Sequence, residues 1–429
     1  MSEFQIFSLG ELGSFKNGVN FSRRDFGQDI PLVNVKQLYR GRFVDPTNLV
    51  HLRRSAVKKL DDYSLKENDI LFARSSVKAS GAGQVAMVSD IVPNTVFSGF
   101  IIRLRIEAKD KVNPLFLGYL LRSPQYRQIF QKIGNGTTII NLTQETLSSV
   151  IVEIPLLPTQ ERIADILGSL DDKIELNRQM NQTLEAMARA IFKSWFVDFD
   201  PVYAKMEGRE YPLPAEVMDL FPEELVESEL GLIPRGWEVK TINRVVETVG
   251  GATPSTKNPD FWENGIHHFA TPKDLSNITA PILITTERKI TDLGLQKISS
   301  RLLDKGTLLM SSRAPVGYLA ITDIPVCINQ GFIAMKCNRS LSTLYMLNWA
   351  ISNMQEIQGR ASGTTFKEIS KQNFRTMEVL VPSTEMIVAF DSIVQSLYEK
   401  MTINLHQNDA LSSIRDILLP KLMSGEVEV

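Results

Sequence analysis

The side chains best placed to do chemistry in this sequence are basic ones beside small, turn-forming residues. Lys36 follows the apolar run Pro31–Val35, and Arg74-Ser75-Ser76-Val77-Lys78 follows Asp69–Ala73. Lys273 and Ser311-Ser312-Arg313 stand at the ends of later strand-like runs. A cation at a strand end can reach a phosphate oxygen or the O6 and N7 edge of guanine. Thr138 and Thr365, in Gly-x-Thr turns, offer a hydroxyl and a backbone N–H to a phosphate. Lys36 and Lys273 occupy matching places in two halves of the chain, as do the Arg74 and Arg313 loops. Lys36, Arg74, Ser75, Lys78, Thr138, Lys273, Arg313 and Thr365 are therefore the candidate nucleic-acid contacts. Taken singly, each cation is better explained as a solvated surface charge and the case rests on the set, while a plain turn explains each threonine equally well.

Catalytic constellations are missing from the sequence. It has no G-x-x-x-x-G-K-[ST] loop and no H-E-x-x-H, and Gly81-Ala82-Gly83 precedes a strand-like run rather than opening a helix. Asn258-Pro259-Asp260-Phe261 is a weak match to the flipped-base loop of adenine methyltransferases, with no cofactor-binding half beside it, and reads as a turn. His267 and His268 are adjacent, so on a strand they point to opposite faces and make a poor metal site. Glu107-Ala108-Lys109 lies in a charged loop. Cys327 and Cys337 are the only cysteines and read as core thiols. No catalytic set and no metal site is expected.

With 429 residues, 43% hydrophobic and 22% charged, the chain suits a globular protein of two to four domains. It has no run of about 18 apolar residues, and Met1-Ser2-Glu3-Phe4 does not open a signal peptide, so a cytoplasmic location is expected. The net charge of −2 conceals a segregation. Residues 1–155 hold 20 Lys and Arg against 14 Asp and Glu, residues 236–382 hold 16 against 12, and residues 198–235 hold 3 against 10. Two separate basic blocks fit two sites that each meet a polyanion.

Two heptad seams must position these blocks. Ile163, Leu170, Asn177, Leu184 and Ile191 recur every seventh residue, and Phe390, Leu397, Asn404, Leu411 and Leu418 repeat the pattern. The shared offset also pairs Lys173 with Lys400, Asn181 with Asn408, and Pro155 with Pro382, so the chain is a duplicated half. Ile166, Ile174, Met187, Ile393, Tyr398 and Ile414 widen the stripe. Asn177 is expected to face Asn404 across an antiparallel helix pair, fixing its register at some cost in stability. A helix of about 34 residues would be a rod of roughly 50 Å.

Short apolar runs from Phe4 to about Val112 predict a mixed or antiparallel sheet. A helical stretch opened by Pro114 runs toward Gly134, a short helix lies around Thr143–Leu147, and Thr159 is the expected N-cap of the first long helix. The fold class is α+β. Residues 1–157 form a first recognition domain, 158–199 a long helix, 200–235 an acidic, Pro-rich linker, 236–382 a second recognition domain, and 383–429 the second long helix with a tail. In the second half, His268-Phe269-Ala270 answers Pro31–Val33, Leu308-Leu309-Met310 answers Ile70-Leu71-Phe72, and Gly331-Phe332-Ile333 answers Gly99-Phe100-Ile101.

This order, with Leu157-Pro158-Thr159-Gln160-Glu161-Arg162-Ile163 opening the first helix, Phe192-Lys193-Ser194-Trp195-Phe196-Val197-Asp198-Phe199-Asp200-Pro201 closing it, Ile233-Pro234-Arg235-Gly236-Trp237 and Leu418-Leu419-Pro420-Lys421-Leu422-Met423-Ser424-Gly425-Glu426, resembles the specificity subunit of type I restriction-modification systems. One departure is Pro382-Ser383-Thr384-Glu385-Met386-Ile387, which lacks the Gln-Glu-Arg-Ile form of the first helix. The resemblance implies a non-catalytic subunit with two target-recognition domains, similar in fold to that of some adenine methyltransferases. Each would read one half of a bipartite double-stranded DNA site. The helices would form an antiparallel coiled coil that sets the spacer and docks two modification subunits, with restriction subunits joining the full assembly. S-adenosylmethionine, Mg²⁺ and ATP would belong to those partners. A self-sufficient methyltransferase or nuclease fusion, and a coiled-coil adaptor that binds no DNA, are the alternative classes.

Overall fold

The computed structural model describes residues 4–427 apart from 40, 47, 77–80, 82, 90, 135–139, 299 and 364–366. Residues fall into two compact units: one reaches to Lys173 and resumes at Ala410, and the other is Ile174–Asp409. None of the described helices is long and apolar enough to cross a membrane.

In the first unit a four-stranded antiparallel sheet runs in the order Gly13–Asn17, Ile101–Ile106, Ile70–Ala73, Val85–Met87. Alternation with period two sends Ile70, Phe72, Ile102 and Leu104 into a core with the helix Pro114–Arg122, and Leu71, Ala73 and Ile101 into a second core with Val33 and Phe97. The expected helix from Pro114 is interrupted at Ser123, because Pro124 restarts it as Pro124–Ile133. A mixed three-stranded sheet, Val50–Leu52, Phe26–Val33, Val96–Phe97, lies alongside. Phe4–Ser8 pairs with Ile151–Pro155, so the first and last strands close the domain beside the start of the long helix.

The second unit repeats this plan. Its five-stranded sheet runs Glu247–Gly250, Phe332–Lys336, Leu308–Ser311, Leu319–Thr322, Ile282–Leu283. Its mixed sheet runs Arg288–Ile290, His267–Ala270, Val326–Ile328, and Glu238–Thr241 pairs with Glu378–Val381. The ladders refine the correspondence between the halves. Ala73 pairs with Ile101, and its counterpart Ser311 pairs with Phe332, so Gly331 matches Phe100 rather than Gly99. A one-residue slip exchanges the two faces of a strand.

Residues 198–235, expected as a linker of little structure, contain the helix Asp200–Met206 and the hairpin Leu225–Ser228 with Gly231–Pro234. Phe221 stacks edge-on against Trp195 at 5.1 Å, and Val202 and Ile233 are buried in the same core. Few apolar residues suffice, because each is seated among the aromatics that end the long helix.

The first long helix spans Leu157–Phe196 and the second Thr384–Met423. Thr159 lies in the first turn instead of capping it, since its N–H already donates to Leu156 O. Ser383 caps the second helix through Met386 N–H at 3.2 Å. Of the anticipated seam, Ile163, Asn177, Phe390 and Asn404 are buried, whereas Leu170, Leu184, Ile191, Leu397, Leu411 and Leu418 are half-buried. A second row, Leu167, Ile174, Asn181, Ala188 and Trp195 with Val394, Met401 and Leu422, is buried, and only Asn408 and Arg415 between the last two are half-buried. Both rows form the contact, as the a and d positions of a heptad do. Of the flanking positions, Ile174 and Tyr398 are buried, and Ile166, Met187 and Ile414 are exposed.

Asn177 does not face Asn404. Its Nδ2 donates to Gln407 Oε1 and Asn408 Oδ1, both at 2.9 Å, while Asn404 Nδ2 donates to Asn181 Oδ1 at 2.8 Å. Running helices in opposite directions sets an a position of one opposite a d position of the other, so each asparagine meets the member of the other row. Residues 177 and 181 meet 408 and 404 in reverse order, which fixes the pair within the second unit as antiparallel.

Candidate nucleic-acid interface

Lys36 rides on the one-turn helix Val35–Leu38. Asn34 caps it, its Oδ1 accepting from Val35 N–H at 2.8 Å while its own N–H donates to Gln37 Oε1 at 3.1 Å. These bonds hold the turn and leave the Lys36 side chain exposed. Ser98 Oγ donates to Asn34 Oδ1 at 3.1 Å, and Arg74 Nη1 donates to the next carbonyl, Gly99 O, at 3.3 Å. The Lys36 turn and Arg74 are thus anchored to one dipeptide at one end of the sheet. Ser75 bonds the Asn141 carboxamide from the short strand Ser75–Ser76. Lys78, Thr138 and Thr365 lie outside the described residues.

Lys273 occupies the station of Lys36. Asn329 N–H donates to Ala270 O as Ser98 N–H donates to Val33 O, and each lysine follows that carbonyl residue by three. Thr271 caps its turn, Pro272–Ser276, with Asp274 in the reciprocal role. Lys273 Nζ lies 2.6 Å from Glu287 Oε2, and this hydrogen bond and charge raise its pKa above the usual lysine value.

The two arginines are one residue out of step. Arg74 N–H donates to Phe100 O, and the equivalent bond in the second unit is Ser312 N–H to Gly331 O, so Ser312 matches Arg74 and Arg313 matches Ser75. Their loops correspond and their side chains leave on different faces. The Arg313 loop is stitched tightly: Ser311 Oγ donates to Pro315 O at 2.7 Å and accepts from Tyr318 N–H at 2.8 Å, and Ile369 N–H donates to Ser312 O at 3.0 Å. Ala314 takes φ 58°, a left-handed conformation uncommon outside glycine. Arg313 lies 3.6 Å from Glu368. Thr271, Lys273, Ser276, Arg313, Tyr318 and Asn329 line one open groove of about 520 Å³. Two cations and several neutral donors and acceptors on a rigid floor can meet both phosphates and base edges.

The sequence reading missed a charge cluster in the first unit, built on the buried Arg42 and Asp171 side chains. Arg42 Nη2 lies 2.5 Å from Asp172 and its Nη1 3.4 Å from Asp171; Asp171 also accepts from Tyr119 Oη at 2.7 Å and from Arg415 Nη1 at 2.6 Å. The cluster ties the loop bearing Arg42 to both long helices within the first unit. Charges separated by 129 and 244 positions gave no local signal.

A family model described as the type I restriction modification DNA specificity domain matches residues 1–186 and 234–412. The HindI specificity subunit of Haemophilus influenzae is 31% identical over 478 aligned positions, covering 100% of both chains. The MjaIX specificity subunit of Methanocaldococcus jannaschii is 25% identical, covering 99% of this chain and 93% of its own. The crystal structure of a type I restriction-modification S subunit from M. genitalium superposes with a TM-score of 0.55 at 16% identity, covering 98% of this chain and 96% of its own, and so shares the fold. With both halves matched by one family model and a relative aligned end to end, this chain belongs to the type I restriction-modification specificity-subunit family.

Proposed function

We propose that each reading domain binds one half of a bipartite double-stranded DNA site, and that the antiparallel helix pair sets the unread spacer and docks two modification subunits. Restriction subunits would complete the assembly, which would act in the cytoplasm. The chain itself would hold no cofactor. S-adenosylmethionine, Mg²⁺ and ATP would serve adenine methylation and ATP-dependent cleavage in the partners. The observation that carries the reading is the repeated station of Lys36 and Lys273 on matching ladders, beside loops that differ in sequence and in arginine phase. Like scaffolds with unlike loops suit unlike half-sites.

The test is to map methylated adenines in a host expressing the chain with its modification subunits. The result expected is one bipartite motif with unlike halves and a constant gap. Methylation by the purified chain with S-adenosylmethionine alone would favour a fused enzyme. Absence of salt-dependent duplex affinity from the whole assembly would favour a plain adaptor.

A further inference from the structure

Building on the DNA-recognition reading, we infer that the first reading domain carries a separate phosphate-binding ridge, which supplies most of the sequence-independent hold on duplex DNA. Residues 21–60 contain nine Lys and Arg against three Asp, which accounts for the whole basic excess of residues 1–155. The fold brings six of these cations to, or just beyond, one end of the three-stranded sheet. Arg23 and Arg24 form the turn that leads into the strand Phe26–Val33, Arg53 and Arg54 follow its partner Val50–Leu52, and Lys58 and Lys59 come after the next turn. Arg53 N–H donates to Asp25 O at 2.8 Å, which sets the two ends side by side. All six residues are exposed.

What distinguishes this end is how the cations are held. Arg53 Nε donates to Phe26 O at 3.2 Å and Arg54 Nη1 to Val57 O at 2.6 Å, so both guanidiniums are oriented by neutral carbonyls. The Arg53 stem lies across Gly27, where a Cβ would come within 2.6 Å of Arg53 Cγ. The nearby acids are hydrogen-bonded to other groups than the guanidiniums: Asp25 accepts from Ser22 N–H and Oγ at 2.7 and 2.9 Å, feeling the Arg53 charge only as a lesser influence, and Asp29 accepts from Arg54 N–H at 2.9 Å. Among the described residues, none of the six cations forms a salt bridge. The groove of the second domain is the opposite case, since Lys273 and Arg313 each face a glutamate. By the ladders, Thr291 and Asp292 stand there where Arg53 and Arg54 stand here, so the matching end carries an acid, which lies 2.7 Å from His267. Oriented guanidiniums with full charge suit phosphate oxygens, whereas cations already paired with acids add little counterion release. The ridge faces the DNA backbone, and the paired groove faces base edges.

The experiment measures duplex affinity from 50 to 200 mM salt, using the full chain assembled with its modification subunits. One duplex carries the recognised site and the other has both halves scrambled. The variant R53Q/R54Q/K58Q/K59Q is expected to lower the slope of log K against log salt by about two to four, and affinity for the scrambled duplex by tenfold or more, on the order of one unit of slope per phosphate contact. The ratio between the two duplexes should stay within about threefold. R53K/R54K should keep the slope, and K58Q/K59Q, which breaks no internal bond, should lower it by about one to two. An unchanged slope in K58Q/K59Q and in a folded quadruple variant overturns the ridge, as does lost discrimination at constant slope. If the unsubstituted assembly shows no salt-dependent affinity, the recognition reading itself fails before the ridge is reached.

Discussion

At the scale of single residues, the cations of the two grooves differ in what they are free to touch. Arg313, held at a strained loop with Glu368 beside it, can form two parallel bonds to guanine while the carboxylate accepts from a cytosine amino group. Arg313→Ala should therefore relax preference at one base pair by about 1–3 kcal/mol, read by competition among duplexes altered singly along the site. A uniform loss across all sequences would mark Arg313 as a phosphate contact. Asp171 is the residue on which the first domain's seating turns. Its side chain is 10% exposed and neutralises Arg42, 7% exposed, together with Arg415. Asp171→Ala leaves Arg42 with Asp172 and Arg415 with Asp416, both acids exposed, and strands the Tyr119 hydroxyl, so it should cost about 1–3 kcal/mol in denaturant unfolding. A loss below about 1 kcal/mol would contradict this account of the cluster.

At the scale of elements, the asparagine layer makes register expensive to change. Asn404→Leu strands Asn181 Oδ1, and Asn181→Leu strands Asn404 Nδ2, at about 1–3 kcal/mol each. The double variant should cost less than the sum of the singles by about 0.5–3 kcal/mol, because both polar groups leave together. Strict additivity would show that the two do not interact. A second tie joins the long helix to the domain packed on it: Asp323 lies 2.7 Å from both His406 Nε2 and Lys305 Nζ. Burial raises the Asp323 pKa, but the hydrogen bonds and charges of Lys305 and His406 outweigh it and leave the carboxyl below the usual aspartate value. A depressed folded-state pKa gives stability that is present above the unfolded value, near 3.9, and lost as pH falls through the folded one. Asp323→Asn should flatten the thermal midpoint's fall over that acidic range relative to the unsubstituted chain, and parallel profiles would remove the tie. One heptad row in each helix was legible because its period repeats over five positions. The a-to-d pairing was not, since Asn177 and Asn181 offer Asn404 equally plausible partners until the helix direction and layer are known. Nor was the slip between Arg74 and Arg313, because Gly99 and Gly331 look alike in sequence and only the ladder shows that they differ in phase.

At the scale of the whole molecule, duplication was visible in the sequence while the asymmetry laid over it was only partly so. Net charge by block pointed to two basic domains. That one presents unpaired arginines and the other acid-paired cations depends on contacts such as Arg53 to Phe26 O and Lys273 to Glu287. The acidic segment before Ile233 looked like tether because its apolar residues are sparse, yet Phe221 and Val202 find a core prepared by Trp195 and Trp237. The central claim is that two unlike reading domains act at a separation set by the helix pair. Its most direct test removes one heptad from each helix in the observed register, Asn177–Thr183 with Thr402–Asn408, and maps adenine methylation by the reconstituted complex. Seven residues shorten a helix by about 10 Å, close to three base-pair steps. Both half-sites should be retained with a spacer shorter by about three base pairs, and methylation at the original spacing alone would contradict the account.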